Sequence, residues 1–414
     1  MVLAPFAARS TMRKLQAQGV TAERSREKLG HATQPRPSSG PLVWLHAASV
    51  GESLSVLALI TRMGQILPTA HFLITSGTAT SAKLVAQRLP PRTVHQFAPL
   101  DAPRPVKRFL NHWQPDAAIF VESELWPQML RRTHATGARM ALVNARMSEK
   151  TVAFWAEWPQ AARYIFDVFA LILTQNDAMA QNMIRMNAPA ERVARGVNLK
   201  SMSGPLPVDA SALQEVRTTL ADRPIWVASS THEGEESAVL SAHRQLLKRF
   251  PDLCLILAPR HPERGDIVEQ LIASDGLSYR RRSRGEAPGG QVYLADTMGE
   301  LGLWYEMAEI VFLGGSLLPI GGHNPFEVAQ AGAAVLTGNH VAAFAETYAL
   351  LETEGAARII ADGDDLAARV AVLLTDPDEL AAMTSAAQRF TATQDDQLDA
   401  IATRLITALE LDRA

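Results

Sequence analysis

The chain has a single cysteine among 414 residues, so it cannot hold an internal disulfide. Cys254 lies in the apolar run Leu253-Cys-Leu-Ile-Leu257 and reads as a buried thiol that suits a reducing compartment. Long hydrophobic runs are also missing. Ile310 to Phe326 carries no charge, but it is short for a membrane span and is broken by glycines and by Pro319 and Pro325. Val328 to Ala345 is likewise uncharged, yet it contains Gln330, Thr337, Asn339 and His340. The apolar start, Met1 to Ala8, meets Arg9, Arg13 and Lys14 too soon to form a signal-peptide core. A disulfide scaffold is thereby excluded, and no stretch reads as a transmembrane helix. With 47% apolar and 20% charged residues, the composition is that of a globular chain, and its length allows two or three domains.

A net charge of −3 conceals an asymmetry. Residues 1–200 hold 24 Lys+Arg against 12 Asp+Glu, a formal +12, and the remainder holds 16 against 31, a formal −15. The first half therefore favours an anionic partner: a nucleic acid, a membrane surface or a phosphorylated substrate.

Short apolar runs alternate with amphipathic segments along the whole chain. Strands are expected in the first half at 42–46, 71–76, 93–97, 117–122, 139–144 and 171–174. In the second half they are expected at 225–228, 253–258, 292–295, 310–314, 334–337 and 358–361. Strand–helix alternation predicts an α/β protein with parallel sheets covered on both faces, in two Rossmann-like domains. Ser201 to Val208, rich in Pro, Ser and Gly, is the expected linker. The expected layout is a basic, apolar-tipped segment over 1–40, a first domain over 41–200, the linker, and a second domain over 209–414. Ligands should bind where strands end and helices begin, in a cleft between facing domains.

Four strand-to-helix turns share a spacing: Ser49-Val-Gly-Glu52, Ser230-Thr-His-Glu233, Thr297-Met-Gly-Glu300 and Asn324-Pro-Phe-Glu327. Each sets a capping residue three positions before a glutamate, so each glutamate could accept the N–H of its own cap. In the last turn Pro325 is expected at the first helical position. The glycines next to Glu52 and Glu300 open the backbone to a ligand, which favours a binding role as well.

These turns belong to an ordered series of motifs. It runs Trp44-Leu-His-Ala-Ala-Ser-Val-Gly-Glu52, Glu122-Ser-Glu-Leu-Trp-Pro127, Asn144-Ala-Arg146 and Gly196-Val-Asn-Leu-Lys200. It continues with Ser230-Thr-His-Glu-Gly-Glu-Glu236, Pro259-Arg-His-Pro-Glu-Arg264, Asp296-Thr-Met-Gly-Glu-Leu301, Gly314-Gly-Ser316 and Gly321-Gly-His-Asn-Pro-Phe-Glu327. Together they resemble the 3-deoxy-D-manno-octulosonic acid (Kdo) transferases, enzymes that move Kdo from CMP-Kdo onto a lipid A precursor (lipid IVA) in lipopolysaccharide synthesis. The resemblance implies a GT-B glycosyltransferase fold with two Rossmann-like domains facing across a central cleft. It also implies a basic, acceptor-binding first domain and a nucleotide-binding second domain.

The resemblance further implies that Glu52 is the general base of an inverting transfer, and that Glu122 and Lys200 stabilise the transition state. The chemistry agrees: one carboxylate must take the acceptor hydroxyl proton, another suits an oxocarbenium-like sugar, and an ammonium suits the charge gathering on the leaving group. For CMP, the resemblance points to Pro259 and Arg260, to Met298, Gly299 and Glu300, and to Asn324, Pro325, Phe326 and Glu327. Arg260 can fork to phosphate oxygens, Glu327 can accept both ribose hydroxyls, and the glycines of Gly314 to Gly322 let backbone approach the ligand.

No metal or cofactor is expected. Asp362-Gly-Asp-Asp365 reads as a turn with a helix cap, and His232-Glu-Gly-Glu-Glu236 lacks the second histidine of a zinc helix. No G-x-G-x-x-G follows a first strand, which argues against a nicotinamide cofactor. Arg280-Arg-Arg-Ser-Arg284 reads as a solvated loop. Relatives usually start with a longer hydrophobic anchor. Here residues 1–40 hold seven Lys+Arg and two Asp+Glu, which favours peripheral attachment to an anionic membrane, the cytoplasmic face of a Gram-negative inner membrane. Two other readings compete. A GT-B epimerase would share the nucleotide turns but has no use for the first-half motifs, and a two-lobed binding protein would need an export signal.

Overall fold

The computed structural model describes residues 4–199 and 206–413. It contains two seven-stranded sheets, and every strand pair in both is parallel. The first consists of β1 (Leu42–His46), β2 (His71–Ser76), β3 (Thr93–Phe97), β4 (Ala117–Val121), β5 (Arg139–Ala145), β6 (Leu171–Thr174) and β7 (Val193–Arg195). Its spatial order is β3-β2-β1-β4-β5-β6-β7. The second consists of β8 (Ile225–Thr231), β9 (Cys254–Pro259), β10 (Tyr279–Arg281), β11 (Val292–Leu294), β12 (Ile310–Leu313), β13 (Ala334–Thr337) and β14 (Ala357–Ile359), in the order β10-β11-β9-β8-β12-β13-β14.

Each sheet is buried on both faces, which is why its inner strands read as unbroken apolar runs. Period-two alternation divides them between two cores. Val43 and Leu45 of β1 join one cluster, while Leu42 and Trp44 join the other. In β8, Val227 faces one core, and Trp226 and Ala228 the opposite one. Cys254 is fully buried, and burial pushes its thiol up to about 11.

All twelve expected strands form. β7 and β10 are additional, so each sheet has seven strands instead of six. Both are edge strands of three residues carrying Arg195, or Arg280 and Arg281, so neither shows an apolar run.

The chain folds into two compact units, one comprising Met1–Ser203 with Asp395–Ala414, the other Gly204–Gln394. The expected second domain over 209–414 is thus corrected at its end. In the long helix Pro377–Ala408, Ala386, Ala387 and Phe390 pack into a core of the second unit, whereas Leu398, Ile401 and Leu405 join the core of the first that includes Val43 and Leu45. The polar interval Thr391 to Gln397 separates the two apolar sets. Arg62 Nη2 donates to Asp399 Oδ2 at 2.8 Å within the first unit.

Candidate functional site

In an open parallel sheet, ligands bind beyond the carboxyl ends of the strands where the strand order reverses. That point lies between β1 and β4 in the first unit and between β8 and β12 in the second. Glu52 follows β1, Glu122 follows β4, and Asn324 to Glu327 follow β12, while Arg260 follows β9 and Met298 to Glu300 follow β11.

After β1, Ser49 caps the helix Val50–Ser55 and accepts the Glu52 N–H at 3.3 Å. Glu52 reaches back in turn, though one residue further than a capping box requires. Its Oε2 accepts the Ala48 N–H at 2.9 Å, and its Oε1 accepts the Ser49 hydroxyl at 2.7 Å. The carboxylate is half-exposed and held in place from two sides.

After β4, Glu122 adopts a left-handed backbone with φ +52°, and Asn144 at the end of β5 does the same with φ +54°. L-residues other than glycine avoid this region, so both positions store strain. Asn144 lies within the register shift where β5 pairs with β6, between Leu142 and Ala145, as in a bulge that re-aims a side chain. Its Nδ2 donates to Glu122 Oε1 at 3.2 Å, and its Oδ1 accepts the Leu199 N–H at 3.1 Å. Lys200, the next residue, lies outside the described residues.

A buried network that the sequence reading did not single out crosses the same point. His46, ending β1, donates from Nε2 to Glu124 Oε2 at 3.1 Å, and its Nδ1 meets Thr75 Oγ1 at 2.9 Å. Thr75 Oγ1 also accepts the Trp44 indole N–H at 2.8 Å, and Glu124 accepts that of Trp126. Burial pushes the Glu124 carboxyl up, but the hydrogen bonds from His46 and Trp126 outweigh it and leave its pKa below the usual carboxylate value. His46 and Glu124 both sit inside the quoted motifs. Their pairing across 78 residues is what only the fold reveals.

In the second unit, the expected Ser230-to-Glu233 cap does not form. Ser230 lies within β8 at φ +54°, in a register shift against β9, and Gly234 at φ +93° delays the helix to Glu235–Leu247. Glu235 takes the capping role instead. Only 1% exposed, it accepts four backbone N–H groups: His232 at 2.9 Å, Gly315 at 2.7 Å, Ser316 at 2.8 Å and Leu317 at 2.9 Å. The glycine loop after β12 is therefore a backbone nest whose amides at Gly315, Ser316 and Leu317 are taken by a side chain of this chain. The next residue, Glu236, is buried and paired with Arg264 Nη1 at 2.5 Å.

Beside the nest, His232 Nε2 and His323 Nε2 lie 2.9 Å apart, with nearly parallel rings. A Cβ at Gly315, where φ is +68°, would come within 2.8 Å of the His323 ring, so glycine is required there. The His261 ring packs edge-on against His232 with centroids 5.6 Å apart. Burial, followed by the neighbouring His232 and Arg260, lowers His323 to about 4. Burial also lowers His232, helped by His261, Arg260 and Arg264 and opposed by Glu235. Pro259 ends β9, and the exposed Arg260 that follows donates its backbone N–H to Thr231 O at 2.9 Å.

Met298 and Gly299 form an open turn after β11, with Met298 72% exposed. Glu300 differs from expectation, because its carboxylate takes Arg282 Nη2 at 2.7 Å and the Thr297 hydroxyl instead of a cap N–H. Burial raises its pKa, yet these two partners win and hold it below the usual range. Arg282 belongs to the run read as a solvated loop, and that reading is corrected too. Arg281 is 8% exposed and bound to Asp296 at 2.6 Å and Glu269 at 2.7 Å, and Arg284 pairs with Glu269 at 2.6 Å. The acids that neutralise this run lie up to 18 residues away in sequence.

Asn324 Oδ1 accepts the Phe326 N–H at 3.1 Å and opens the helix Phe326–Gln330, so Pro325 sits just before the first helical residue. Glu327 lines a small depression with Gly302, Tyr305 and Gln330. Asp362 caps the helix Gly363–Thr375 by accepting the N–H groups of Asp364 and Asp365, as expected. Among the described residues no cluster of three or more His, Cys, Asp or Glu side chains is arranged to hold a metal ion. No helix among them is long and apolar enough to cross a membrane.

The architecture has counterparts of known structure. A glycosyltransferase from Rickettsia africae superposes with a TM-score of 0.56 at 12% identity, covering 90% of this chain and 98% of its own. The UDP-GlcNAc 2-epimerase of Neisseria meningitidis gives 0.55 at 13% identity, covering 86% and 100%. At such identities the likeness is one of fold, and the fold is that of the GT-B glycosyltransferases and epimerases. A family model for 3-deoxy-D-manno-octulosonic-acid transferase (kdotransferase) matches residues 23–203. The 3-deoxy-D-manno-octulosonic acid transferase of Haemophilus influenzae is 33% identical over 349 residues, 83% of this chain and 81% of its own length. The chain belongs to the 3-deoxy-D-manno-octulosonic acid transferase family.

Proposed function

We propose that this chain transfers Kdo from CMP-Kdo to a lipid A precursor, with inversion at the anomeric carbon. The observation that carries the reading is the placement of Glu52 and Glu122 after β1 and β4, the two strands that flank the reversal of strand order in a member of this family. As the acceptor oxygen bonds to the anomeric carbon, the bond from that carbon to the phosphate oxygen breaks. Glu52 takes the hydroxyl proton, and CMP leaves with the electron pair. The side chain needs only a rotation away from Ala48 to face an acceptor. Glu122 faces the positive charge developing on the sugar, and Lys200 offsets the negative charge of the donor.

Arg260 holds the phosphate, Glu327 the ribose hydroxyls, and the turns at Pro259, Met298-Gly299-Glu300 and Asn324-Pro325-Phe326 frame the nucleotide. Glu300 contributes through the turn that its bond to Arg282 shapes. No metal ion is required in this scheme, since cationic side chains offset the leaving phosphate.

The acceptor is a phosphorylated lipid, and the +12 first half suits it. In the helix Ala4–Ala17, Ala8 and Leu15 are buried while Arg9, Arg13 and Lys14 are exposed, so the basic residues are available to an anionic leaflet on the cytoplasmic side. Each contributes about 1 kcal/mol there. Incubation with CMP-Kdo and a tetraacyl lipid A precursor, followed by mass spectrometry, tests the reading. A product heavier by one or more Kdo units supports it, and unchanged acceptor with CMP-Kdo intact contradicts it.

A further inference from the structure

The imidazole pair after β8 and β12 has a specific proton chemistry. Two nitrogens 2.9 Å apart can share only one hydrogen, so one Nε2 donates and the other accepts. The pair can be neutral, with one Nδ1–H and one bare Nδ1. It can also take one further proton, which turns the bare Nδ1 into a donor and keeps the Nε2–H···Nε2 bond. A second additional proton would break that bond. Among the described residues neither Nδ1 has a protein partner, so a singly charged pair offers two outward N–H groups.

The surroundings suit an anion. The charged and titratable groups acting on the pair are Glu235, Arg260, His261 and Arg264, with Glu236 bound to Arg264 and Glu263 beside His261. Glu235 is satisfied by four backbone N–H groups, Glu236 is bound to Arg264, and Glu263 lies 3.4 Å from His261 Nδ1. Arg260 is left, among the described residues, as the cation with no acid partner. Burial and these cations keep both rings neutral while no anion is present. A phosphate beside them reverses the balance.

We propose that His232 and His323 act as one unit that seats the donor's phosphate and takes up a single proton when the nucleotide binds. The inference rests on the nucleotide reading above and deepens it. The extra proton stays on the imidazoles and donates a hydrogen bond to the phosphate, which becomes a dianion as the sugar departs. Glu235 is the positioning residue, because it ties the His232 backbone to the loop that carries Gly315.

Calorimetric titration of CMP into the full chain at pH 7, in buffers of differing ionisation enthalpy, counts the protons exchanged. Free phosphate monoesters have a second pKa of about 6, so proton loss from CMP itself has the opposite sign. The wild type should take up at least about half a proton per CMP, and His232→Asn and His323→Asn should each abolish the uptake. Affinity should weaken about ten-fold or more in each variant, as expected for a lost charge-assisted hydrogen bond. Cytidine, lacking the phosphate, should bind all three proteins equally and without proton uptake. CMP binding without uptake in the wild type, or uptake undiminished in both variants, overturns this inference and leaves the nucleotide reading intact. No CMP binding to any form overturns the nucleotide reading and this inference together.

Discussion

Asn144 Nδ2 donates to Glu122 Oε1 at 3.2 Å, so the ends of two neighbouring strands are tied together by residues that both sit in the left-handed backbone region. Asn144 tolerates that region better than most residues, and its side chain also holds the Leu199 N–H. Asn144→Ala should cost about 2–3 kcal/mol in chemical denaturation, through strain and lost hydrogen bonds, and should lower turnover by removing a hydrogen bond that positions Glu122. Asn144→Gly loses the same hydrogen bonds but relieves the strain, so relative to Asn144→Ala it should recover part of the stability and none of the turnover.

Glu235 is a buried carboxylate whose partners are all backbone amides. Glu235→Ala would leave four N–H groups without an acceptor and should destabilise the second unit by roughly 3 kcal/mol or more. Glu235→Gln retains one oxygen but turns an NH₂ towards the remaining donors, so its loss should be intermediate. Thermal unfolding of the three proteins checks the order.

Much of the fold was legible because strands buried on both faces must be apolar throughout, as in Leu42–His46 or Ile310–Leu313. The edge strands Val193–Arg195 and Tyr279–Arg281 escape that rule, since one edge faces no partner and arginines are tolerated. The hand-over within Pro377–Ala408 left no mark beyond a polar interval, because helical periodicity shows that a face is buried and says nothing of which core receives it. Within the site, the Ser49–Glu52 cap was readable from local spacing. Glu233 misled because Gly234 shifts the helix start, and Glu300 because Arg282, far along the chain, claims its carboxylate. The nest around Glu235 and the His46–Glu124 pair depend on which strands are neighbours, which local sequence does not encode.

His95 makes stability depend on acid. Its Nδ1 lies 2.8 Å from Arg24 Nη2, which can only donate, so Nδ1 is bare and Nε2–H donates to Ser76 Oγ at 2.9 Å. Burial, with the charges of Arg24 and Lys28, lowers its pKa to about 3. Below the unfolded value of about 6.5 the unfolded chain binds a proton that the folded chain refuses, so this contribution to stability is lost as pH falls from about 6.5 towards 3. His95→Gln should flatten the decline in melting temperature between pH 7 and pH 5. An unchanged slope would mean that His95 is not a source of the acid sensitivity.

Neutralising Arg9, Arg13 and Lys14 together should reduce sedimentation with anionic vesicles and raise KM for the lipid acceptor. KM for CMP-Kdo should stay nearly constant. Raised salt should have the same effect on the wild type, since exposed charges are screened beyond roughly 8–10 Å. Vesicle binding indifferent to both changes would remove the helix Ala4–Ala17 from the membrane contact.

Glu52 carries two assignments, helix cap and general base, and Glu52→Gln separates them. Glutamine can still accept the Ala48 N–H and donate to Ser49 Oγ, so the turn should survive and the melting temperature should barely move. It cannot take a proton. The direct measurement is the single-turnover rate of Kdo transfer from CMP-Kdo to a tetraacyl lipid A precursor, wild type against Glu52→Gln, with CMP affinity as the control. We predict a fall of at least about 100-fold with CMP affinity unchanged, in line with the 10²- to 10⁴-fold worth of general base catalysis. A rate within a few-fold of wild type would contradict the account and leave Glu52 as a cap alone.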